Sequence, residues 1–216
     1  MLYNCFSRLI AVGLVLIFQT CAVAAEPPSE VITLLEKAAE IDLQYEEKDT
    51  GPYFEKLLTE AEHYRSANVE KAEAWIACAH MRANIAKTKG MSGLGMMKEA
   101  RTELEKAIEL NPNAMDGYAQ ALLGRFYYLL PAWPISYGSD KKAKKYIEAS
   151  LSINGRELVN NYVYGLFHLR QKDYELAKKY LLIADQAKVG VDRPNWETNF
   201  RKGIAYYLGY IAENSK

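Results

Sequence analysis

One spacing constrains this chain more than anything else in it. Ala100, Leu104, Ala107 and Pro112 lie four, three and five residues apart, and Ala143, Ile147, Ser150 and Gly155 repeat those intervals. So do Ala177, Leu181, Ala184 and Val189, so the three copies start 43 and then 34 residues apart. Steps of four and three return to the same face of an α-helix, and a small-large-small face lets a second helix approach closely. A sequence that repeats such a face is restricted to stacked helices, each hairpin burying its neighbour's apolar side.

The helices preceding these segments carry the matching half. Leu123-Gly124 is followed by Tyr127, Tyr164-Gly165 by His168, Leu208-Gly209 recurs near the C-terminus, and Cys78-Ala79 stands where an earlier copy belongs. With these residues and a 34-residue period, the chain resembles the tetratricopeptide-repeat superfamily, over residues 75–214 and best over 101–187. The large aromatic expected early in each repeat's first helix is Trp75 in one copy but Gln120 and Asn161 in the next two. A narrower likeness runs through Arg125, Leu130-Pro131, Tyr137-Gly138-Ser139-Asp140 and Ala143, a pattern similar to exported repeat proteins of the type of the T-component of TRAP transporters, with Ser139 in place of a glycine. That resemblance implies a non-enzymatic, extracytoplasmic partner of a substrate-binding protein.

No stretch alternates as a half-buried strand does. Ser29 can cap a helix over residues 30–47, with Val31, Leu34, Leu35, Ala38, Ile41 and Tyr45 on one face; Asp49-Thr50-Gly51-Pro52 breaks it, and further helices are expected over 53–64 and 69–87, before the glycine-rich stretch 90–95. The expected fold is all-α, a short right-handed solenoid of hairpins with a capping C-terminal helix. Residues 26–68 form an N-terminal hairpin, 69–195 degenerate repeats and 196–216 the cap.

Residues 1–25 read as a secretory signal. Arg8 precedes an apolar run over 9–18, and Ala22, Ala24 and Ala25 then lead into Glu26-Pro27-Pro28; ten apolar residues are too few to cross a bilayer. Cleavage after Ala24 or Ala25 predicts an exported, periplasmic protein, with a retained anchor as the alternative. Phe18-Gln19-Thr20 ahead of Cys21 match a lipobox poorly, which argues against a lipoprotein. Once Cys5 and Cys21 leave with the signal, Cys78 is the one remaining thiol, so no internal disulfide can form, and it is expected inside a helix.

Signatures of catalysis are missing. The three histidines, His63, His80 and His168, form no His-Glu-x-x-His motif, and the chain has neither a nucleophile elbow nor a phosphate loop. The reading is a protein with no catalytic residues, no metal site and no cofactor. With 27 basic and 27 acidic residues it also lacks the positive excess that nucleic acid requires. Lys141, Lys142, Lys144 and Lys145 form the densest basic run, read as a solvated face with anionic lipid as the sharper alternative.

Tyrosine is over-used, 16 of 216 residues. If the first helix of each hairpin lines a concave groove, the groove-facing set is His80, Tyr118, Arg125, Tyr128, Tyr162, Arg170, Tyr206 and Tyr210, a composition suited to binding protein. Residues 130–138, with Pro131, Trp133, Pro134, Ile135 and Tyr137 before the helix start at Ser139 or Asp140, form an apolar insertion that must either plug the groove or present an anchor; the plug is the preferred expectation. Trp196 poses the same question. The expected function is to bind an envelope protein or peptide segment in this groove. The alternatives are a carrier of a small organic ligand, with the Trp133 loop closing a pocket over an organic acid near Arg125, and a homo-oligomeric structural protein. An enclosed pocket would mark the carrier and an open groove the scaffold.

Overall fold

The computed structural model describes residues 27–215, so the signal segment with its cleavage and lipidation questions lies outside the described residues. The helices are α1 (Ser29–Gln44), α2 (Gly51–Ser66), α3 (Ala72–Lys89), α4 (Leu94–Leu110), α5 (Tyr118–Leu129), α6 (Asp140–Ile153), α7 (Leu158–Arg170), α8 (Tyr174–Asp185) and α9 (Pro194–Asn214), with short 3₁₀ turns at Glu47–Asp49, Gly90–Gly93 and Ala114–Gly117. Among the described residues there is no strand, only one isolated bridge between Ala132 and Gly138. Consecutive helices pair as α2/α3, α3/α4, α5/α6 and α7/α8.

The repeated spacing is the packing surface of the array. Ala100, Leu104 and Ala107 on α4, Ala143, Ile147 and Ser150 on α6, and Ala177, Leu181 and Ala184 on α8 are all completely buried. Opposite them stand the glycines of the first helices. A methyl group on Gly124 would lie 2.5 Å from Ile147 Cγ1, and one on Gly165 would lie 2.9 Å from Leu181 Cγ. The small residue is therefore what lets the two helices of a hairpin approach. Gly209 differs, because nothing lies within 4 Å of where its Cβ would be.

Departures from the expected aromatic at the head of each hairpin have a common explanation. Trp75 Nε1 donates to Val69 O at 2.8 Å, Gln120 Nε2 to Pro112 O at 2.6 Å, and Asn161 Nδ2 to Gly155 O at 3.1 Å and Glu157 O at 2.8 Å. In each copy a side-chain N–H reaches back to a carbonyl of the preceding loop. The repeat preserves a donor at this position rather than a shape. Beside Asn161, the fully buried Asn160 donates to Asp116 O, Ser150 O and Asn154 O, clamping the turn where Met115, Asp116 and Gly117 all have positive φ. A buried carbonyl without a donor costs about 1–3 kcal/mol, so these amides hold the loops in place.

Charges tie the first hairpins together. Glu103 on α4 accepts from Arg65 of α2 and from Arg82 Nε of α3 at 3.0 Å, and Arg82 also contacts Glu62 and, at 2.8 Å, Glu99. Each buried charge there has a partner, which a buried ion needs in order to be tolerated.

Three expectations are corrected. The Gly51-Pro52 pair opens α2 rather than merely ending α1, since proline is tolerated in a first helical turn, where its missing N–H would have no partner anyway. Nor does α9 simply cap the end of the array. It runs back across the concave side to α1, where the Glu36 carboxylate accepts from Asn195 N at 2.9 Å and from Trp196 N at 2.8 Å. At its other flank Arg201 donates to Ala184 O at 3.1 Å, to Ala187 O at 2.7 Å and to Asp185 O. An open concave groove is therefore replaced by a covered one. Finally, the insertion at 130–138 is not a plug: Trp133 is 86% exposed and Ile135 56%.

Gly124→Ala should lower stability by about 1–3 kcal/mol, the cost of overpacking a tight contact. Gly209→Ala should be neutral or slightly stabilising, because the helix gains without a clash. Urea unfolding of the two variants side by side measures both.

Candidate functional site

The covering of the concave side leaves a cavity of about 590 Å³. Its deep wall is formed by Leu122 and Phe126 of α5, Val159 and Tyr162 of α7, and Trp196 and Phe200 of α9. Its exposed lining residues, Tyr45, Glu47, Lys87, Gly90 and Leu129, place the mouth between the ends of α1, α3 and α5. The helical period that buries Leu123 and Gly124 against α6 turns Leu122 and Arg125 to the opposite side of α5, toward this space.

An aromatic cage surrounds the inner end. The Trp196 ring lies 5.3 Å from that of Tyr118, 5.8 Å from His80 and 5.1 Å from Phe200, and Phe200 meets Tyr162 edge to face at 5.1 Å. Tyr118 Oη and His80 Nδ1 are 2.9 Å apart. Burial, with Arg125 and Lys87 nearby, pushes the His80 pKa down to about 3, so the ring is neutral at ordinary pH. Burial likewise raises the phenols of Tyr118, Tyr128 and, to about 12, Tyr162.

Arg125 is the charged group of this environment. Desolvation acts against its charge, while Tyr128, Tyr162, Tyr118 and Tyr207 around it favour the charged form, and its pKa stays above the ordinary guanidinium value. Among the described residues no carboxylate lies within ion-pair distance of it. The Tyr128 hydroxyl, beside it and buried, has no hydrogen-bond partner either. The cavity's carboxylates are elsewhere: Glu47 pairs with Lys87 at 3.0 Å, and Asp42, raised by burial, feels Lys87 and Arg125 through space without touching either.

Of the eight groove candidates, four line the cavity: His80, Tyr118, Arg125 and Tyr162. Tyr128 is buried next to it, with its ring edge-on to Phe167 at 5.9 Å. Arg170, Tyr206 and Tyr210 are not brought to it; all three are exposed, Tyr206 to 68%. In the insertion, Tyr137 Oη donates to Met97 O at 2.8 Å and Asp140 accepts from Gln171 at 3.1 Å, so Tyr137 fastens the loop while Trp133 projects. Ser139, not Asp140, takes the capping position of α6 and accepts from Lys142 N. Trp196, Asn199, Phe200, Asp42 and Lys87 escaped the groove set. The one available signal was the indole of Trp196 beside a loop proline; nothing local says that α9 folds back to α1.

Cys78 is inside α3 as expected, fully buried, with desolvation raising its thiol to about 12. Among the described residues no group of three metal-ligating side chains occurs, and no helix is long and apolar enough to cross a membrane.

A fold of stacked two-helix units defines a helical-repeat protein. The tetratricopeptide repeat family matches residues 79–114, from the middle of α3 to the turn after α4, and the all-helical fold of consecutive hairpins is consistent with an array of repeats of that kind. Repeats of this kind generally bind protein or peptide partners and are generally not enzymes. No curated protein matches the sequence.

His80 generates a specific pH dependence. Its folded pKa lies below the unfolded value near 6.5, so the unfolded chain binds the proton more tightly, and stability is lost as pH falls from about 6.5 toward about 3. The slope contributed by one proton is at most about 1.4 kcal/mol per pH unit. Comparing the urea midpoints of the parent and His80→Gln across this range should show the steeper acid loss in the parent. Cys78 should resist iodoacetamide at pH 8 in the native protein and react once it is unfolded, as mass spectrometry would read.

Proposed function

We propose that the protein is exported and works without catalysis as an interaction module of the bacterial cell envelope. The observation that carries this reading is the Trp133 loop. Gly138 N donates to Pro131 O at 2.9 Å, Ser139 N to Tyr127 O at 2.7 Å and Ile135 N to Ala132 O at 3.1 Å, so the loop is held by its own backbone and by Tyr137. A held loop that offers an indole and an isoleucine to solvent has the character of a hot-spot anchor: large apolar area with little conformational entropy left to lose. Arg170, Tyr206 and Tyr210 add polar-tipped exposed surface of the kind interfaces use. The repeat match supports a protein partner, and the signal-like residues 1–25 support its location.

The mature chain used as bait in a cross-linked envelope extract should recover a discrete partner, and Trp133→Ala should reduce that recovery at least tenfold. Recovery unchanged by Trp133→Ala, or no partner at all, would sink this reading. N-terminal sequencing of the periplasmic protein should begin after Ala24 or Ala25.

A second reading, a small-ligand carrier or accessory to a solute transporter, draws support from the closure of α9 onto α1, which turns a groove into a cavity.

A further inference from the structure

We propose that the cavity is a binding site for a small organic monoanion, a carboxylate or similar acid on an apolar body, with Arg125 as the group that receives the charge. This rests on the second reading and gives it a chemistry. A half-buried guanidinium without a counter-ion has lost part of its hydration and gained no ion pair in return. Elsewhere this same chain pairs its half-buried arginines: Arg65 and Arg82 share Glu103. Arg125 has no such partner and is a wall of a 590 Å³ cavity, within the size range of small-molecule sites. A ligand anion is the missing partner.

The surroundings define the ligand further. The deep wall is apolar and aromatic, with Leu122, Phe126, Trp196 and Phe200, so the body of the ligand is hydrophobic. His80 is neutral and supplies no second positive charge. Lys87, the other cation lining the cavity, is occupied by Glu47 at the exposed mouth, and Asp42 adds a carboxylate near it. Arg125, without an ion pair and with Asp42 acting on it only through space, has room for one negative charge; a dianion such as a phosphate monoester would leave an excess.

The test is isothermal titration of the full mature chain with phenylacetate and with its uncharged analogue phenylacetamide, and then with octanoate and benzenesulfonate. Phenylacetate is expected to bind at least tenfold more tightly than phenylacetamide. Arg125→Met should lower phenylacetate affinity at least tenfold, while Arg125→Lys should retain part of it. Ligand-free Arg125→Met should melt no lower than the parent, since it loses a half-buried charge that has no ion pair; this also reports that the variant folds, with the lysine variant as a second check. Equal binding of phenylacetate and phenylacetamide, or an unaltered affinity in Arg125→Met, would overturn the proposal. So would the absence of binding by all three anions at about 10 mM. Trp133→Ala should leave phenylacetate affinity unchanged, and Arg125→Met should leave recovery of the protein partner unchanged, so failure of one idea is distinguishable from failure of the other. If native mass spectrometry of the chain taken gently from its envelope fraction finds a bound organic acid, the anion site and the carrier reading both stand; if phenylacetate binds but no acid is carried, the anion site stands and the carrier reading fails.

Discussion

The concave side of this molecule depends on one contact, the Glu36 carboxylate on the first backbone N–H groups of α9. A helix N-terminus presents unsatisfied donors and a positive partial charge, so a carboxylate there makes charge-assisted hydrogen bonds that a neutral residue could not. The partners are 160 residues apart in the chain. Repeat arrays are usually built from contacts between neighbours alone, each hairpin resting on the last. Here the first helix meets the last one, and Trp196 and Phe200, which would otherwise face solvent on a terminal helix, become the inner wall of a cavity.

The two sides of the helices carry different work. On the packing side, alanines, serine and glycine set the approach distance, and side-chain amides or an indole hold the loop carbonyls. On the inner side the same helices offer His80, Tyr118, Arg125 and Tyr162, two of them basic and none of them in an ion pair. The contrast between Arg82, which touches three carboxylates, and Arg125, which touches none, separates structure from function within one fold. The anion proposed for the cavity would supply the partner that Arg125 lacks.

Much of the architecture was legible without coordinates. The four-three part of the spacing identified nine positions that are all completely buried, and Gly124 and Gly165 marked where helices meet. Half of the groove set lines the cavity, because helical periodicity decides which residues oppose a known packing face. The remaining candidates were misplaced for identifiable reasons. Arg170, Tyr206 and Tyr210 follow the right period on helix stretches that the cavity does not reach. The Trp133 loop was expected to cover the groove because its apolar content argued for burial; its backbone hydrogen bonds and Tyr137 hold it outward instead.

The sequence by itself determined the class of the fold, the register of the hairpins and the side of each helix that packs, because all of these follow from spacing within a few turns of chain. Which of two tryptophans is buried and which is exposed could not follow from spacing, since each lies within two residues of a proline in a stretch that interrupts the repeats. That was decided by where α9 goes, and its path is set by contacts with α1, α7 and α8 that lie far apart in the chain. The cavity, the neutral His80 and the partnerless Arg125 arise from the same closure. Desolvation depends on everything that surrounds a group in space, and only the tertiary structure brings those surroundings together.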